Sequence, residues 1–344
     1  MNNVSIGEAF GRVNLIGEHL DYNAGCVMPL QINRSVKVTL KKNNAIDGIK
    51  IRSENYPDEI SINILDKKLD NWADFIIGSC VLFKKKFNVN ITGIIFEIQS
   101  NLPIGIGVSS SAAVTVSSLK ALSSFYKIEI ENEQLVQLAH SVERDFVGVA
   151  GGIMDQFVSI YGVLNKALFL DTKSNDFELI QIPEDYEFLV IDSGIQRMLT
   201  DGSLNKKKDQ CLIISKKLKI EKLCQLNSLS KNQKKILSKN NLKIAEHVIF
   251  ENQRSKSARV ALINKDMYEF GNLMTQSHNS LSNLYEVSID ELDYLVELCN
   301  SFGALGSKLT GAGFGGAIVT LIKKDFVEEL KKYIIKNYSN AKFL

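Results

Sequence analysis

Residues 101–122 read NLPIGIGVSSSAAVTVSSLKAL. The preceding GIIFEIQS, at 93–100, predicts a strand that runs into Pro103. Gly105, Gly107 and the serines Ser109, Ser110 and Ser111 come next, and then a predicted helix with Ala112, Ala113, Val116, Leu119 and Leu122 on its apolar face. Two glycines let the backbone take positive φ and approach a ligand closely. The unpaired N–H groups of a helix's first turn, with the helix dipole, favour an anion. Hydroxyls add donors, and one of them could also hold a cation. This is the composition of a phosphate cradle, although a serine-capped helix after a glycine turn would read the same way. No lysine follows the glycines as a P-loop requires, and Gly105-x-Gly107-x-x-Ser110 lacks the third glycine of a dinucleotide fingerprint.

Three other stretches concentrate polar chemistry or glycine. GRVNLIGEHLDYNAG, at 11–25, sets Arg12, Glu18, His19 and Asp21 among apolar neighbours. Buried polar groups are costly without partners, so this is either a surface hairpin or the wall of a polar site. Residues 142–162, VERDFVGVAGGIMDQFVSIYG, hold Glu143 and Asp155, with Gly148, Gly151 and Gly152 between them. The glycines break a continuous helix, so the two carboxylates can converge across a turn, one on a metal and the other on a hydroxyl. TGAGFGG, at 310–316, contains a literal GxGxxG, but AIVTLI after it predicts a strand where a dinucleotide fold requires a helix. A tight turn beside a site, or a plain hairpin, fits it better.

The chain has 344 residues, which suggests two domains. Hydrophobic residues make up 45% and charged residues 23%, an ordinary globular mix. A formal net charge of +2 nominates neither nucleic acid nor a membrane as partner, and the lysine-rich runs at 205–211 and 231–243 predict solvated faces. Five cysteines without a CxxC or a Cys/His cluster argue against a disulfide framework and a zinc site, and predict reduced thiols in a cytoplasm. No secretory leader and no membrane-length apolar run is visible. Strands are expected at 35–42, 48–53 and 93–100, and helices at 71–87, 131–148 and 325–337. The texture shifts near 173–178, predicting domains over 1–174 and 175–344. The expected class is α+β with mixed sheets and flanking helices rather than a regular βαβ series.

In their order along the chain, GRVNLIGEHLDYNAG, LPIGIGVSSSAA and GSKLTGAGFGGA resemble the three motifs of the GHMP small-molecule kinases. The first is similar to the signature of the galactokinase family. FVGVAGGIMDQF resembles that family's catalytic segment, and ENQR at 251–254 and SHNSLSNLYEVSIDELD at 277–293 resemble its C-terminal pattern. The resemblance spans residues 11 to about 320 and implies a two-domain fold with its active site in the cleft between domains. It implies an ATP-dependent sugar 1-kinase with Mg²⁺. Glu18, His19, Leu20 and Asp21 would bind sugar, Arg12 would lie near the transferred phosphoryl, and Asp155 would face the anomeric hydroxyl. Ser111 and Glu143 would hold Mg²⁺. Gly105, Ile106, Gly107, Val108, Ser109, Ser110 and Ser111 would wrap the nucleotide phosphates, with Ser53 and Trp72 lining the adenine pocket. No protein partner is implied. The family carries a Tyr in a pattern like SSEYxxR that reaches the sugar; here Leu204 stands at the Tyr position and Lys207 at the Arg position. That departure leaves room for a 1-kinase of another sugar, such as arabinose, galacturonate or N-acetylgalactosamine. A silent sugar and ATP sensor is a further alternative, which the retained Arg12, Glu143 and Asp155 disfavour.

Overall fold

The structure, a computed structural model, describes residues 3–63, 67–149, 151–196 and 202–344. In chain order the elements of the first half are β1 (Val4–Asn14), β2 (Cys26–Val27), β3 (Pro29–Lys42), β4 (Ile49–Ser53), β5 (Tyr56–Ile62), α1 (Asp74–Phe87), β6 (Ile94–Ser100), α2 (Ser110–Tyr126), α3 (Asn132–Ser141) and α4 (Met154–Tyr161). The second half contains β7 (Lys166–Asp171), β8 (Phe177–Gln181), β9 (Tyr186–Asp192), α5 (Ser203–Leu218), α6 (Lys231–Ile236), α7 (Lys239–Ile263), α8 (Met267–Ser280), α9 (Asp290–Phe302), β10 (Gly306–Thr310), β11 (Ala317–Lys323), α10 (Val327–Asn337) and β12 (Lys342–Phe343). These form two compact units that interleave along the sequence. One comprises Met1–Arg12, Gln31–Pro103 and Ser109–Gly162; the other comprises Val13–Leu30, Ile104–Val108 and Val163–Leu344.

In the first unit, β6 pairs antiparallel with β3, from Val36 opposite Ser100 to Lys42 opposite Ile94, and parallel with β4. β4 also pairs antiparallel with β5, with an irregularity between Ile51 and Ser53, and β1 lies beside β3. The sheet is therefore mixed, as the class expected. Buried and exposed positions alternate along β1 and β6, the period-two signature of a sheet with one covered face. Helices α1 to α4 pack against one another and bury Ile76, Phe83, Val116, Leu119, Phe125 and Leu135. The helix expected over 131–148 changes character at Ser141. Val142–Val147 is a π-type turn that ends at Gly148 in a left-handed conformation. Such insertions recur at functional sites, and this one carries Glu143.

In the second unit, β9, β10, β11 and β12 form an antiparallel sheet in the order β10-β11-β9-β12. All five residues of β10 are buried, where helices α8 and α9 pack against it. The 310–316 stretch is the turn of the β10–β11 hairpin, with Thr310 opposite Ala317. Gly313 has φ +80°, and a Cβ there would lie 2.2 Å from the Val287 carbonyl oxygen, so glycine is required by contact as well as by dihedral.

A second backbone approach sits under β1. A Cβ on Gly7 would fall 2.0 Å from the Ser117 carbonyl oxygen and 2.6 Å from the Ala121 amide nitrogen, both on the backbone of α2. No side-chain rotation relieves that contact, so strand and helix must separate. Gly7→Ala is therefore expected to destabilise the protein by about 2 kcal/mol or more, seen as a melting temperature several degrees lower; an unchanged melting curve would contradict this packing.

Candidate functional site

Within the first unit, four of the residues singled out in the sequence meet. Arg12, at 5% exposure, directs Nη2 and Nε to Asp155 Oδ1 at 2.6 and 2.8 Å. Ser109 Oγ donates to the other carboxylate oxygen of Asp155 at 2.5 Å. Asp155 lies in the first turn of α4, and Glu143 lies on the π-type turn twelve residues earlier. Glu143 is buried, and Oε1 of its carboxyl has no partner among the described residues. Burial, with repulsion from Asp155, raises its pKa to about 8, against opposing contributions from Gln156 and Arg12.

The 101–122 stretch adopts the strand-to-helix turn expected of it. Gly105 has φ +78°, Gly107 +86° and Ser109 +61°, while Ile106 and Val108 are buried. Ser109 stands at the N-cap of α2 without capping it, because its hydroxyl serves Asp155 instead. The first intrahelical bond runs from Ala113 N–H to the Ser109 carbonyl, so the amides of Ser110, Ser111 and Ala112 have no partner within the helix. The Ser111 hydroxyl belongs to this first turn. Trp72 stacks on Tyr56, with centroids 4.7 Å apart and planes 5° from parallel, and Tyr56 pairs with Ser53 across β4 and β5. Ser53 and Trp72 thus share one neighbourhood, with Tyr56 as a member the sequence did not single out.

From Val13 onward, the 11–25 stretch resolves within the second unit as a buried polar turn. Gly17 has φ +96° and His19 +63°. Glu18 is 2% exposed and pairs at 2.5 Å, through Oε2, with Nζ of Lys308, a fully buried lysine on β10 that also donates to the Leu309 carbonyl at 2.7 Å. Oε1 of Glu18 has no partner among the described residues. Burial raises the Glu18 pKa to about 7 despite the lysine. Glu251, on α7, accepts from Gly17 N–H at 2.9 Å, from Ser277 Oγ at 2.6 Å and from Arg254 Nε at 2.8 Å. Burial alone would raise its pKa, but Arg254, His247 and Lys308 outweigh burial and lower it to about 2. Asp21 is half-buried and accepts the Tyr22 N–H at 3.0 Å, and the Leu20 side chain is fully buried. His19 Nδ1 lies 2.7 Å from Tyr22 Oη. Leu204 is half-buried in the first turn of α5, and the five residues 197–201 before that helix lie outside the described residues. Lys207 donates to the Tyr285 carbonyl and sits 5.0 Å from that tyrosine's ring centroid.

Lys308, Glu251, Tyr285 and Cys211 were given no role from sequence. Glu251 and Tyr285 fall in the ENQR and SHNSLSNLYEVSIDELD segments, a signal that marked them without saying what they hold. Lys308 falls in GSKLTGAGFGGA, which likewise marked it without saying what it holds, and a lone lysine in a short strand ordinarily faces solvent.

The sequence profile of the GHMP kinases N terminal domain matches residues 74–163, that of the GHMP kinases C terminal domain matches 258–340, and the galactokinase galactose-binding signature matches 3–42. Galactokinase of Thermotoga petrophila is 35% identical over 333 residues, covering 96% of this chain and 93% of that protein. Galactokinase of Thermococcus kodakarensis is 33% identical, with 96% and 93% covered. Among solved structures, Lactococcus lactis galactokinase complexed with galactose superposes with a TM-score of 0.93 at 30% identity, covering 100% of this chain and 93% of that one. Methanococcus jannaschii mevalonate kinase, at 22% identity and a TM-score of 0.71 over 98% and 96% of the two chains, shares the fold. The chain belongs to the galactokinase family of the GHMP kinases.

Proposed function

We propose that this chain transfers the γ-phosphoryl of ATP to the anomeric hydroxyl of galactose, giving galactose 1-phosphate and ADP. The observation that carries the reading is the Asp155 carboxylate, fixed by Arg12 on one oxygen and by Ser109 on the other, next to the buried Glu143. As a member of a kinase family the chain uses ATP as co-substrate. Phosphoryl transfer needs positioning and charge stabilisation more than covalent chemistry. Asp155 takes the proton of the sugar hydroxyl, Arg12 supplies positive charge beside the transferred group, and the amides at the start of α2 hold phosphate oxygens. Hard oxygen donors suit Mg²⁺, and the partnerless Glu143 Oε1 fits a cation; Glu143 and the Ser111 hydroxyl would hold it, supplying charge neutralisation at the phosphates. Ser53 and Trp72, with Tyr56, line the adenine. Glu18, His19 and Asp21 bind sugar hydroxyls, and Leu20 anchors their turn in the core.

Among the described residues no helix is long and apolar enough to cross a membrane. The five cysteines are free thiols, as a reducing cytoplasm would keep them. A second reading, a 1-kinase of a related sugar, is favoured by Leu204 and Lys207 alone.

Asp155→Asn is expected to lower kcat by roughly 10²–10⁴ with galactose binding largely retained; near-normal turnover in a folded variant would remove Asp155 from the role of base. Ser111→Ala is expected to raise the Mg²⁺ concentration needed for half-maximal rate. Ser117→Ala, whose hydroxyl donates to the Ala113 carbonyl inside the helix, is expected to leave it unchanged. Equal Mg²⁺ titrations for both variants would refute the assignment.

Replacing a phenol by an alkyl group withholds one hydrogen bond, worth about 0.5–1.5 kcal/mol. Galactose therefore remains a substrate, with a KM higher than that of Leu204→Tyr by up to roughly tenfold, and with wider tolerance of altered groups at one sugar position. Measuring kcat/KM for galactose, its epimers and deoxy sugars in both proteins tests this. Identical profiles would show that Leu204 does not face the sugar, and absence of galactose turnover would favour the second reading.

A further inference from the structure

Behind His19 a line of hydrogen-bonding groups runs into the interior of the second unit. His19 Nδ1 and Tyr22 Oη are 2.7 Å apart, Tyr22 Oη and Tyr285 Oη 3.0 Å, and Tyr285 Oη and Cys211 Sγ 3.4 Å. Asn23 closes the far end: its Nδ2 donates to the Cys211 sulfur at 3.6 Å and to the His19 carbonyl at 2.8 Å. All five residues are buried. Tyr285 is held in place by His19 and His247, whose ring centroids lie 4.7 and 4.4 Å from its own, and by Lys207 on its carbonyl.

Hydroxyls can point either way, so the line has two possible directions, and they place the imidazole proton on opposite nitrogens. In one, Cys211 S–H donates to Tyr285, Tyr285 O–H to Tyr22, and Tyr22 O–H to His19 Nδ1, leaving the ring proton on Nε2. In the other, His19 Nδ1–H donates outward and the line ends on sulfur. A neutral thiol sulfur is a weak acceptor, whereas a neutral imidazole nitrogen is a full one. The Asn23 amide already faces that sulfur. The two arrangements share the tyrosine hydroxyls as acceptors and differ at the terminal one, where the imidazole nitrogen is the better acceptor. Burial holds both phenols well above their ordinary pKa and raises that of the thiol, so each stays protonated and able to donate.

We propose that Cys211, Tyr285 and Tyr22 form a one-way hydrogen-bond relay that fixes His19 as its Nε2–H tautomer, making that ring nitrogen a donor toward a sugar hydroxyl oxygen. Tyr22 and Tyr285 are positioning residues in this scheme. It rests on the proposed sugar-binding role of His19 for its consequence, though not for the tautomer itself. With Leu204 unable to donate, the donor fixed on His19 gains weight in recognition.

The tautomer can be read without substrate. In protein labelled with ¹⁵N-histidine, long-range ¹H–¹⁵N correlation distinguishes a protonated from an unprotonated Nδ1, and the His19→Asn spectrum assigns His19 among the four histidines. The parent is expected to show an unprotonated, hydrogen-bonded Nδ1 on His19. Tyr22→Phe is expected to give a mixture of tautomers and to raise KM for galactose roughly three- to tenfold while KM for ATP holds. Tyr285→Phe, one step further out, should shift the tautomer in the same direction by less, and it keeps the test intact if Tyr22→Phe does not fold. A protonated Nδ1 in the parent overturns the relay, as does an unchanged His19 spectrum in both variants. If the parent turns over no galactose, the functional reading fails while the spectra still decide the relay.

Discussion

The polar turn at 17–23 depends on one buried ion pair, Lys308 with Glu18. Neither side chain reaches water. Removing either partner of such a pair typically costs about 3–5 kcal/mol, because the other is left as an uncompensated buried charge. The rest of the turn follows from this constraint. Gly17, at φ +96°, leads into Glu18, and its N–H is held by Glu251. Glu251 is kept ionised by Arg254, His247 and Lys308 against the cost of burial. His19 then takes a left-handed conformation, which a non-glycine residue adopts only when its surroundings require it. The bonds of Asn23 to the His19 carbonyl and of Tyr22 to the ring hold it there. A surface hairpin would need none of these, and their presence excludes that reading of GRVNLIGEHLDYNAG.

A parallel economy governs the first unit. Serine at an N-cap ordinarily satisfies the amides of its own helix. Ser109 gives that up in order to bond Asp155, so one side chain orders a carboxylate and leaves the start of α2 open. Its backbone takes a left-handed φ of +61°. The same stretch therefore shows both features that sequence could not separate, a serine at the cap position and an open amide cradle.

Local signals were legible. The period-two strands, the apolar face of α2 and the glycine turns at 105–107 and 311–316 each follow from neighbouring residues, and each was found where pattern placed it. The convergence of Glu143 and Asp155 was legible as a possibility, since the glycines forbid one helix, but the π-type turn was not, because its extra residue per turn changes no residue type. What stayed hidden was long-range. Lys308 and Glu18 are 290 positions apart (308 − 18). A lysine in a five-residue strand looks solvated until the strand is seen to lie under two helices. Tyr285 and Cys211 are buried in the core, and their hydroxyl and thiol acquire a role only from the turn they back.

Glu18 Oε1 and Glu143 Oε1 are two of the buried polar atoms that have no partner among the described residues. A buried acceptor without a donor costs roughly 1–3 kcal/mol, and stability alone would have favoured an apolar residue at either position. Both carboxyls have their pKa raised chiefly by burial, to about 7 and about 8. A buried carboxylate oxygen of this kind can accept from a ligand's donor or meet a cation. A ligand that supplied the missing partner at either position would recover the cost borne by the folded chain, the trade by which binding sites come to be less stable than their scaffold.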